Sequence, residues 1–127
     1  MRELTAHKVN GCNEAITIKV MDEPGHGGAC HRYEVSWTCS GQLPNPGCDG
    51  VIDIGFQNGP VAEVGTNGIT HEALLAIVVD RLQGFQKGPH ACRENAIALT
   101  KLEEAMHWLH HRTRERVARG VEGTHQK

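Results

Sequence analysis

Three arginines recur on one face of the last predicted helix: Arg112, Arg116 and Arg119 lie four and three residues apart. A guanidinium presents a planar fork of N–H donors that matches phosphate oxygens, and side chains at this spacing converge on one face. From His110 to Arg119, four Arg and one Glu give a local charge of +3 in a chain whose formal net charge is -2. The pattern indicates a phosphate site. The residues alone leave a second interpretation open, a solvated helix end stabilised by the negative pole of the helix dipole.

The arginines continue a seam along the same helix, at alternating spacings of three and four, which is the pattern of a helix contact. Its members are Asn95, Ala98, Leu102, Ala105, Leu109, Arg112, Arg116 and Arg119. Asn95 and Arg116 are about 32 Å apart along one helix, too far to share one small ligand. If both serve one site, two chains must build it. An antiparallel pair of these helices would bring Asn95 of one chain towards Arg112 and Arg116 of the other and form two equivalent pockets.

A metal-dependent hydrolase of a cyclic nucleotide, using Glu104, His107 and His110, is the alternative function. Glu-x-x-His is a spacing by which one helix presents a carboxylate and an imidazole to a metal, but di-iron bundles need two such motifs on helices, and the two predicted helices contain one. No nucleophile elbow or phosphate-binding loop occurs in the sequence. We therefore predict no catalytic residue, no resident metal and no cofactor, and a protein that is not an enzyme.

The cysteines number five and come without a secretion signal, which argues against a disulfide framework and for mostly reduced thiols. They are Cys12, Cys30, Cys39, Cys48 and Cys92. Zinc is an alternative, since Cys30 and His31 lie near Cys39 and Cys48, but structural zinc sites usually contain a Cys-x-x-Cys pair and none is present. Cys92 fits either a thiol activated by a helix dipole or a small buried hydrophobe.

Composition bounds the partners of this 127-residue chain. Thirteen Lys and Arg are outnumbered by fifteen Asp and Glu, so we expect no duplex nucleic acid. No apolar run is long enough for a membrane span, and the first ten residues lack the apolar core of a signal peptide. These features predict a cytoplasmic protein. The hydrophobic core available to so short a chain is modest, so we expect oligomerisation to help it.

The first half of the sequence predicts antiparallel β-hairpins. Residues 15–21 and 31–37 read as strands around a Pro- and Gly-rich turn at 22–28. A second hairpin is expected from 51–56 and 61–64, around an Asn-Gly turn at 57–60.

The second half predicts a two-helix hairpin, with helices at about 70–86 and 91–119. Thr70 is placed to cap the first helix, Gly88-Pro89 separates the two, and Gly120 ends the second. Apolar residues cover most of the circumference of the first helix, so it should be covered on several sides. The fold class is thus α+β, one compact unit of an antiparallel β region (1–68) and a helical hairpin (69–127).

Residues 51–125 resemble the phage Thoeris anti-defence proteins, most specifically in GPHACRENAIALTKLEEA and RTRERVARGVEGT. The segment ITIKVMDEPGHGGACHRYEVSW is similar to the β part of that family. Their helical hairpin is shared with phage sponges of cyclic-oligonucleotide signals.

This resemblance implies a sponge that works in the host bacterial cytoplasm and does no chemistry. It would bind the cyclic ADP-ribose isomers made by TIR-domain proteins, glycocyclic ADP-ribose among them. Related members also hold cyclic di- or trinucleotides of the CBASS pathway at a separate site. Dimers and hexamers, the latter as trimers of dimers, are implied too.

Carried over position by position, the resemblance assigns Asn95, Arg112 and Arg116 to the ADP-ribose pocket, with Phe85 stacking the adenine. From the residues alone, Phe85 fits either a core position or a stacking platform. Gly88 and Arg93, at the bend of the hairpin, are the candidates for the cyclic-oligonucleotide site.

Overall fold

The computed structural model describes residues 1–39 and 49–127, which fall into two compact units, Met1–Asn58 and Gly59–Lys127. These compact units divide before the predicted boundary after residue 68. The predicted domain boundary after residue 68 stays a prediction.

The first unit contains a four-stranded antiparallel sheet in sequence order. Its strands are β1 (Arg2–Leu4), β2 (Ile16–Val20), β3 (Arg32–Trp37) and β4 (Gly50–Gly55). The predicted hairpin is confirmed: β2 pairs with β3, with Ile16 opposite Trp37 and Val20 opposite Tyr33. Strand β1 and a short helix, α1 (Gly11–Glu14), were not predicted, because three or four residues carry too little periodicity.

The predicted second hairpin is wrong. Strand β4 pairs with β3, while Val61–Val64 forms a single helical turn, α2. Gly59 adopts a positive φ of 97°, and the carbonyl of Pro60 accepts the N–H of Val64 at 2.9 Å. The N–H of Ala62 donates to the carbonyl of Gly123 at 2.8 Å, a partner supplied from far along the chain. This tertiary contact overrides the strand preference of the two valines.

Among the described residues of the sheet unit, two are buried, one apolar and one polar. Val20 is 1% exposed and His31 is 8% exposed. The ring Nε2 of His31 lies 3.0 Å from the carbonyl of His26, and its backbone N–H donates to the carboxylate of Asp22 at 3.0 Å. The backbone and the ring of His31 therefore both bond to residues of the Pro- and Gly-rich turn, and these hydrogen bonds close the turn.

The second unit contains the two predicted helices, α3 (His71–Gln86) and α4 (Arg93–Ala118). The Thr70 hydroxyl accepts the N–H of Ala73 at 3.1 Å, as a cap should, and Gly120 ends α4 with a φ of 74°. The Gln86 side chain donates to the carbonyl of Cys92 and accepts its N–H, both at 3.1 Å, which fixes the turn between the helices. The α+β fold class is confirmed.

Candidate ligand-binding clefts on the helical hairpin

The face of α4 that is partly buried overlaps the predicted seam but does not coincide with it. The residues that are at least partly buried include Asn95, Leu99, Leu102, Met106, Leu109, Thr113 and Arg116. Five of the eight seam members are at least partly buried: Asn95, Leu102, Ala105, Leu109 and Arg116. Ala98, Arg112 and Arg119 are exposed. One flank of the predicted seam is therefore open on this chain, and it carries two of the three arginines.

Two adjacent clefts meet at Phe85 near the bend of the hairpin. One, of about 500 Å³, is lined by Val78, Arg81, Leu82, Phe85, His90 and Asn95. The other, of about 310 Å³, is lined by Arg81, Gly84, Phe85, Gly88, Pro89 and His90. Phe85 and Asn95, predicted to share a site, thus line the same cleft. Gly88 lines the neighbouring one, and Arg93 is exposed at the first residue of α4.

Phe85 is the shared wall of these clefts. Its side chain is 37% exposed, and the guanidinium carbon of Arg81 lies 5.0 Å from its ring centroid. The imidazole of His90 approaches at 6.4 Å with the rings 69° apart. A cation above one face of an aromatic ring is attracted to the ring's quadrupole, which helps to hold the ring in place. The arrangement suits a planar base, with Asn95 as a donor and acceptor nearby.

Arginines line a third cleft, of about 290 Å³, towards the other end of α4. Its walls are Arg112, Glu115, Arg116, Arg119 and Lys127. Four cations face one carboxylate, and Glu115 pairs with Arg119 at 3.6 Å. This basic cleft has the charge for a phosphate but no aromatic residue in its lining.

Arg116 is engaged within the chain. It is 7% exposed, and its Nε donates to Glu122 at 3.1 Å. Nη1 donates to the carbonyl of Gln126 at 2.6 Å, and Nη2 donates to the carbonyls of Val121 and Thr124 at 2.9 and 3.1 Å. The exposed guanidinium of Arg112 is the more accessible of the two predicted phosphate ligands.

One chain does not bring the two ends of the predicted site together. Asn95 lines a cleft near the start of α4 and Arg116 lines one near its end, about 32 Å away by helix rise. The first cleft offers a stacking surface, an amide and one guanidinium, that of Arg81. The second offers three guanidiniums and an ammonium group but no aromatic ring.

The proposed hydrolase residues do not converge. Glu104 pairs with Lys101 at 3.8 Å, while His107 stacks on His111 and meets the edge of Trp108. In the part of the chain that the structure describes, no group of three or more His, Cys, Asp or Glu side chains is arranged to hold a metal ion.

The cysteines differ in state. Cys39 is disulfide-bonded, so the expectation against disulfides is wrong for this residue. Cys12, Cys30 and Cys92 are free thiols, and Cys48 lies outside the described residues. The Cys30 thiol donates to the carbonyl of Asp22 at 3.4 Å, which gives it a structural role. Sequence spacing cannot show which thiols lie within the few ångströms that a disulfide needs, which is why the bond was missed.

Residues 49–114, just over half of the chain, match the family model described as the Acb2/Tad1 hairpin domain. This chain belongs to the Acb2/Tad1 hairpin family. The matched range includes β4, all of α3 and most of α4, and it therefore contains both clefts around Phe85. It ends before Arg116.

A curated relative, "Thoeris anti-defense 1" of Bacillus phage SBSphiJ7, is 60% identical over 74 residues. That stretch covers 58% of this chain and 52% of the relative, so the match spans about half the length of each. Among the described residues, no helix is both long and apolar enough to cross a membrane.

Sequence reasoning missed Arg81, His90 and Lys127 as lining residues. Arg81 lies four residues before Phe85 on α3, a spacing that places both on one helix face, so its position was available from the sequence. Lys127 reaches the basic cleft only because the chain folds back after Gly120, and no local pattern signals that path.

Proposed function

We propose that this protein is an anti-defence sponge, which binds and sequesters cyclic ADP-ribose-type signals made by TIR-domain proteins without cleaving them. Glycocyclic ADP-ribose is the proposed ligand, and the host bacterial cytoplasm the proposed place of action. Membership of the Acb2/Tad1 hairpin family supports the role, as does the printed name of the 60% identical phage relative. The chemistry of the clefts supports the ligand class, because it offers a ring platform, an amide and several guanidiniums.

In this proposal the binding site is shared between two chains. Phe85 and Asn95 of one chain hold the adenine and ribose end, and Arg112 and Arg116 of its partner supply the phosphate end. The single observation that carries it is the separation along α4 of two clefts, one with an aromatic ring and an amide and the other with a cluster of cationic side chains. An antiparallel pair of α4 helices joins opposite ends and gives two equal pockets by twofold symmetry.

Exposed apolar side chains support association. Ile77 is 66% exposed, Val78 44% and Trp108 65%, all on the two helices. A second copy would remove such side chains from water, which stabilises by roughly 25 cal/mol per Å² of apolar surface. We propose a dimer, and a hexamer formed as a trimer of dimers.

The cleft that includes Gly88 is the proposed second site, for cyclic di- or trinucleotides of the CBASS pathway. It shares Arg81 and His90 with the first cleft, and Arg93 follows closely on the chain. A cleft of about 310 Å³ on one chain is small for a cyclic trinucleotide. This ligand therefore also requires neighbouring copies to complete its surroundings.

Calorimetry and native mass spectrometry with glycocyclic ADP-ribose test the primary proposal. We expect one ligand per chain, and recovery of the intact nucleotide after the protein is denatured. Recovery of a cleaved nucleotide would instead establish the hydrolase alternative. Arg112→Glu should abolish binding and preserve the oligomer. Arg114→Glu is the matched control, because Arg114 is equally charged, exposed, and absent from the lining of the basic cleft.

A further inference from the structure

Strand β4 lies at one edge of the sheet in the first unit. It pairs with β3 on one side, and among the described residues no strand pairs with its other side. Val51 is 60% exposed and Ile52 is 49% exposed, and Asp53 is exposed as well. No residue of β4 lines the clefts around Phe85 or the basic cleft. Any role of this edge is therefore separate from the proposed ligand site.

The backbone of β4 directs unpaired hydrogen-bonding groups outward. The N–H of Phe56 donates to the carbonyl of His31 at 2.8 Å, so these two residues form a hydrogen-bonded antiparallel pair. Such pairs alternate with non-hydrogen-bonded pairs, so every second residue of β4 back from Phe56 bonds to β3. The residues between them, Val51, Asp53 and Gly55, direct their N–H and C=O groups away from β3. A row of this kind is a template for another strand.

One face of the sheet is apolar up to this edge. Residues that lie opposite each other on paired strands share a face, and the register defines one row across all four strands. The row consists of Leu4, Ile18, Val35 and Ile52. It ends at Ile52, about half of whose side chain is in water. A strand added beside β4 would continue the apolar face and cover this side chain.

The sequence around Ile52 is complementary to a second copy of itself. We propose that β4 pairs antiparallel with β4 of another chain, about a twofold axis at Ile52. The two Ile52 side chains then face each other in a non-hydrogen-bonded pair, where side chains approach most closely. Val51 lies opposite Asp53 of the second copy, and their outward N–H and C=O groups form about four hydrogen bonds across the axis.

Charge and residue size favour this register over its neighbours. An axis at Asp53 would place two carboxylates directly opposite each other, which destabilises a strand pair. An axis at Val51 would place Ile52 opposite Gly50, which has no side chain to cover it.

The other edge of the sheet is a poorer partner for β4. Strand β1 has three residues, and two of them, Arg2 and Glu3, are charged. Charged residues and short length are features that protect an edge from pairing. A contact between β4 and β1 would also repeat from chain to chain, whereas a twofold contact between two β4 strands closes on itself.

The contact between two β4 strands is small. Six residues of strand span about 20 Å, and one pair of strand edges buries far less than the roughly 800 Å² per partner of a standard interface. We therefore expect the pairing between chains that are already associated through their helices, where the effective concentration is high. Chains that stay monomeric should not pair in this way.

Disulfide crosslinking of the full chain tests the register. Ile52→Cys places two thiols opposite each other, whereas the two copies of Val51→Cys or of Asp53→Cys lie more than about 7 Å apart between Cα atoms, too far for a disulfide. Ile52→Cys should form covalent dimers about tenfold faster than either of them. The wild type, with exposed Cys12 and Cys92, measures the background. Crosslinking of Ile52→Cys no faster than the wild type, or faster crosslinking at Val51 or Asp53, would overturn the proposal.

Hydrogen exchange with charge variants tests the pairing without a new thiol. Ile52→Lys opposes two ammonium groups across the axis, whereas Val51→Lys, the matched control, places a lysine opposite Asp53. The Asp53 amide should exchange about tenfold faster in Ile52→Lys than in the wild type or Val51→Lys. The Ile54 amide, which bonds to β3, should stay protected in all three and so report that the sheet is folded. Equal exchange of the Asp53 amide in the three proteins would refute the pairing. Neither experiment uses a ligand, so both decide this inference whether or not the protein binds glycocyclic ADP-ribose.

Discussion

Mixing two defective variants tests whether the proposed pocket is shared between chains. Phe85→Ala removes the aromatic platform, and Arg112→Glu reverses the charge at the basic end. In a shared pocket, each pure variant has only defective sites, while a mixed dimer has one intact site and one with both defects. Random assortment makes half of the dimers mixed, so about one quarter of all pockets should bind glycocyclic ADP-ribose.

The reciprocal mixture makes the test decisive. Here a chain with both substitutions, at Phe85 and Arg112, is mixed with the wild type. A shared pocket is then intact only in wild-type dimers, which again gives about one quarter of sites. A pocket contained in one chain would give no binding in the first mixture and about one half in the second. The two mixtures therefore agree only if the chains share the pocket.

The loss of affinity expected from each single substitution determines the ligand concentration at which the mixtures should be compared. Loss of base stacking costs about 1–3 kcal/mol, and loss of a charged hydrogen bond costs about 1.5–3 kcal/mol. Each defective pocket should thus bind about five- to 150-fold more weakly. At concentrations near the wild-type dissociation constant, intact pockets fill to a much larger extent than defective ones, and native mass spectrometry of co-expressed, differently tagged chains counts the occupied pockets. Zero occupancy in the first mixture, with dimers still present, would refute the reasoning.

Two further predictions concern the sheet unit. Gly50→Ala should destabilise it by about 1–3 kcal/mol in chemical unfolding, because the new Cβ would overlap the Trp37 ring on the opposing strand; Gly11→Ala, which meets no atom within 4 Å, is the control. Asp22→Asn should lower stability only where the carboxylate is ionised. The backbone N–H of His31, the largest cause, lowers the pKa of Asp22 below 3.8. The wild-type advantage is therefore present above pH 3.8 and is lost as the pH falls through the lowered value, and an advantage that persists in acid would contradict this.

The helices were predictable because their signals are local. Thr70 caps α3 and Gly120 ends α4 through contacts within a few residues, and such contacts are encoded by neighbouring positions. The turn of helix at Val61–Val64 was missed because its geometry depends on Gly123, which is distant in sequence. A β-branched pair with an Asn-Gly turn reads as a hairpin until that partner is known.

The binding roles of the candidate site residues stay a prediction, and their surroundings could not be inferred from the sequence. Phe85 and Asn95 line one cleft, as their assignment to one pocket requires, and Arg112 is open to solvent. The hydrogen bonds of Arg116 could not be inferred from the sequence. Spacings of three and four residues fit two neighbouring faces of the helix, so they do not show which side chains are buried. Whether an arginine on such a boundary turns outward or towards residues 121–127 depends on the path of the chain after Gly120.

The helical hairpin itself supplies the last argument for association. In the described part of the second unit, no apolar side chain is fully buried, although apolar residues surround α3. The association that covers Ile77, which is 66% exposed, would also complete the pocket. Ile77→Glu should therefore lower the melting temperature, produce monomers in sedimentation, and remove ligand binding together. Phe85→Ala should remove binding and leave the oligomer intact. If monomeric Ile77→Glu still binds glycocyclic ADP-ribose with wild-type affinity, the pocket does not depend on association, which would contradict the shared site.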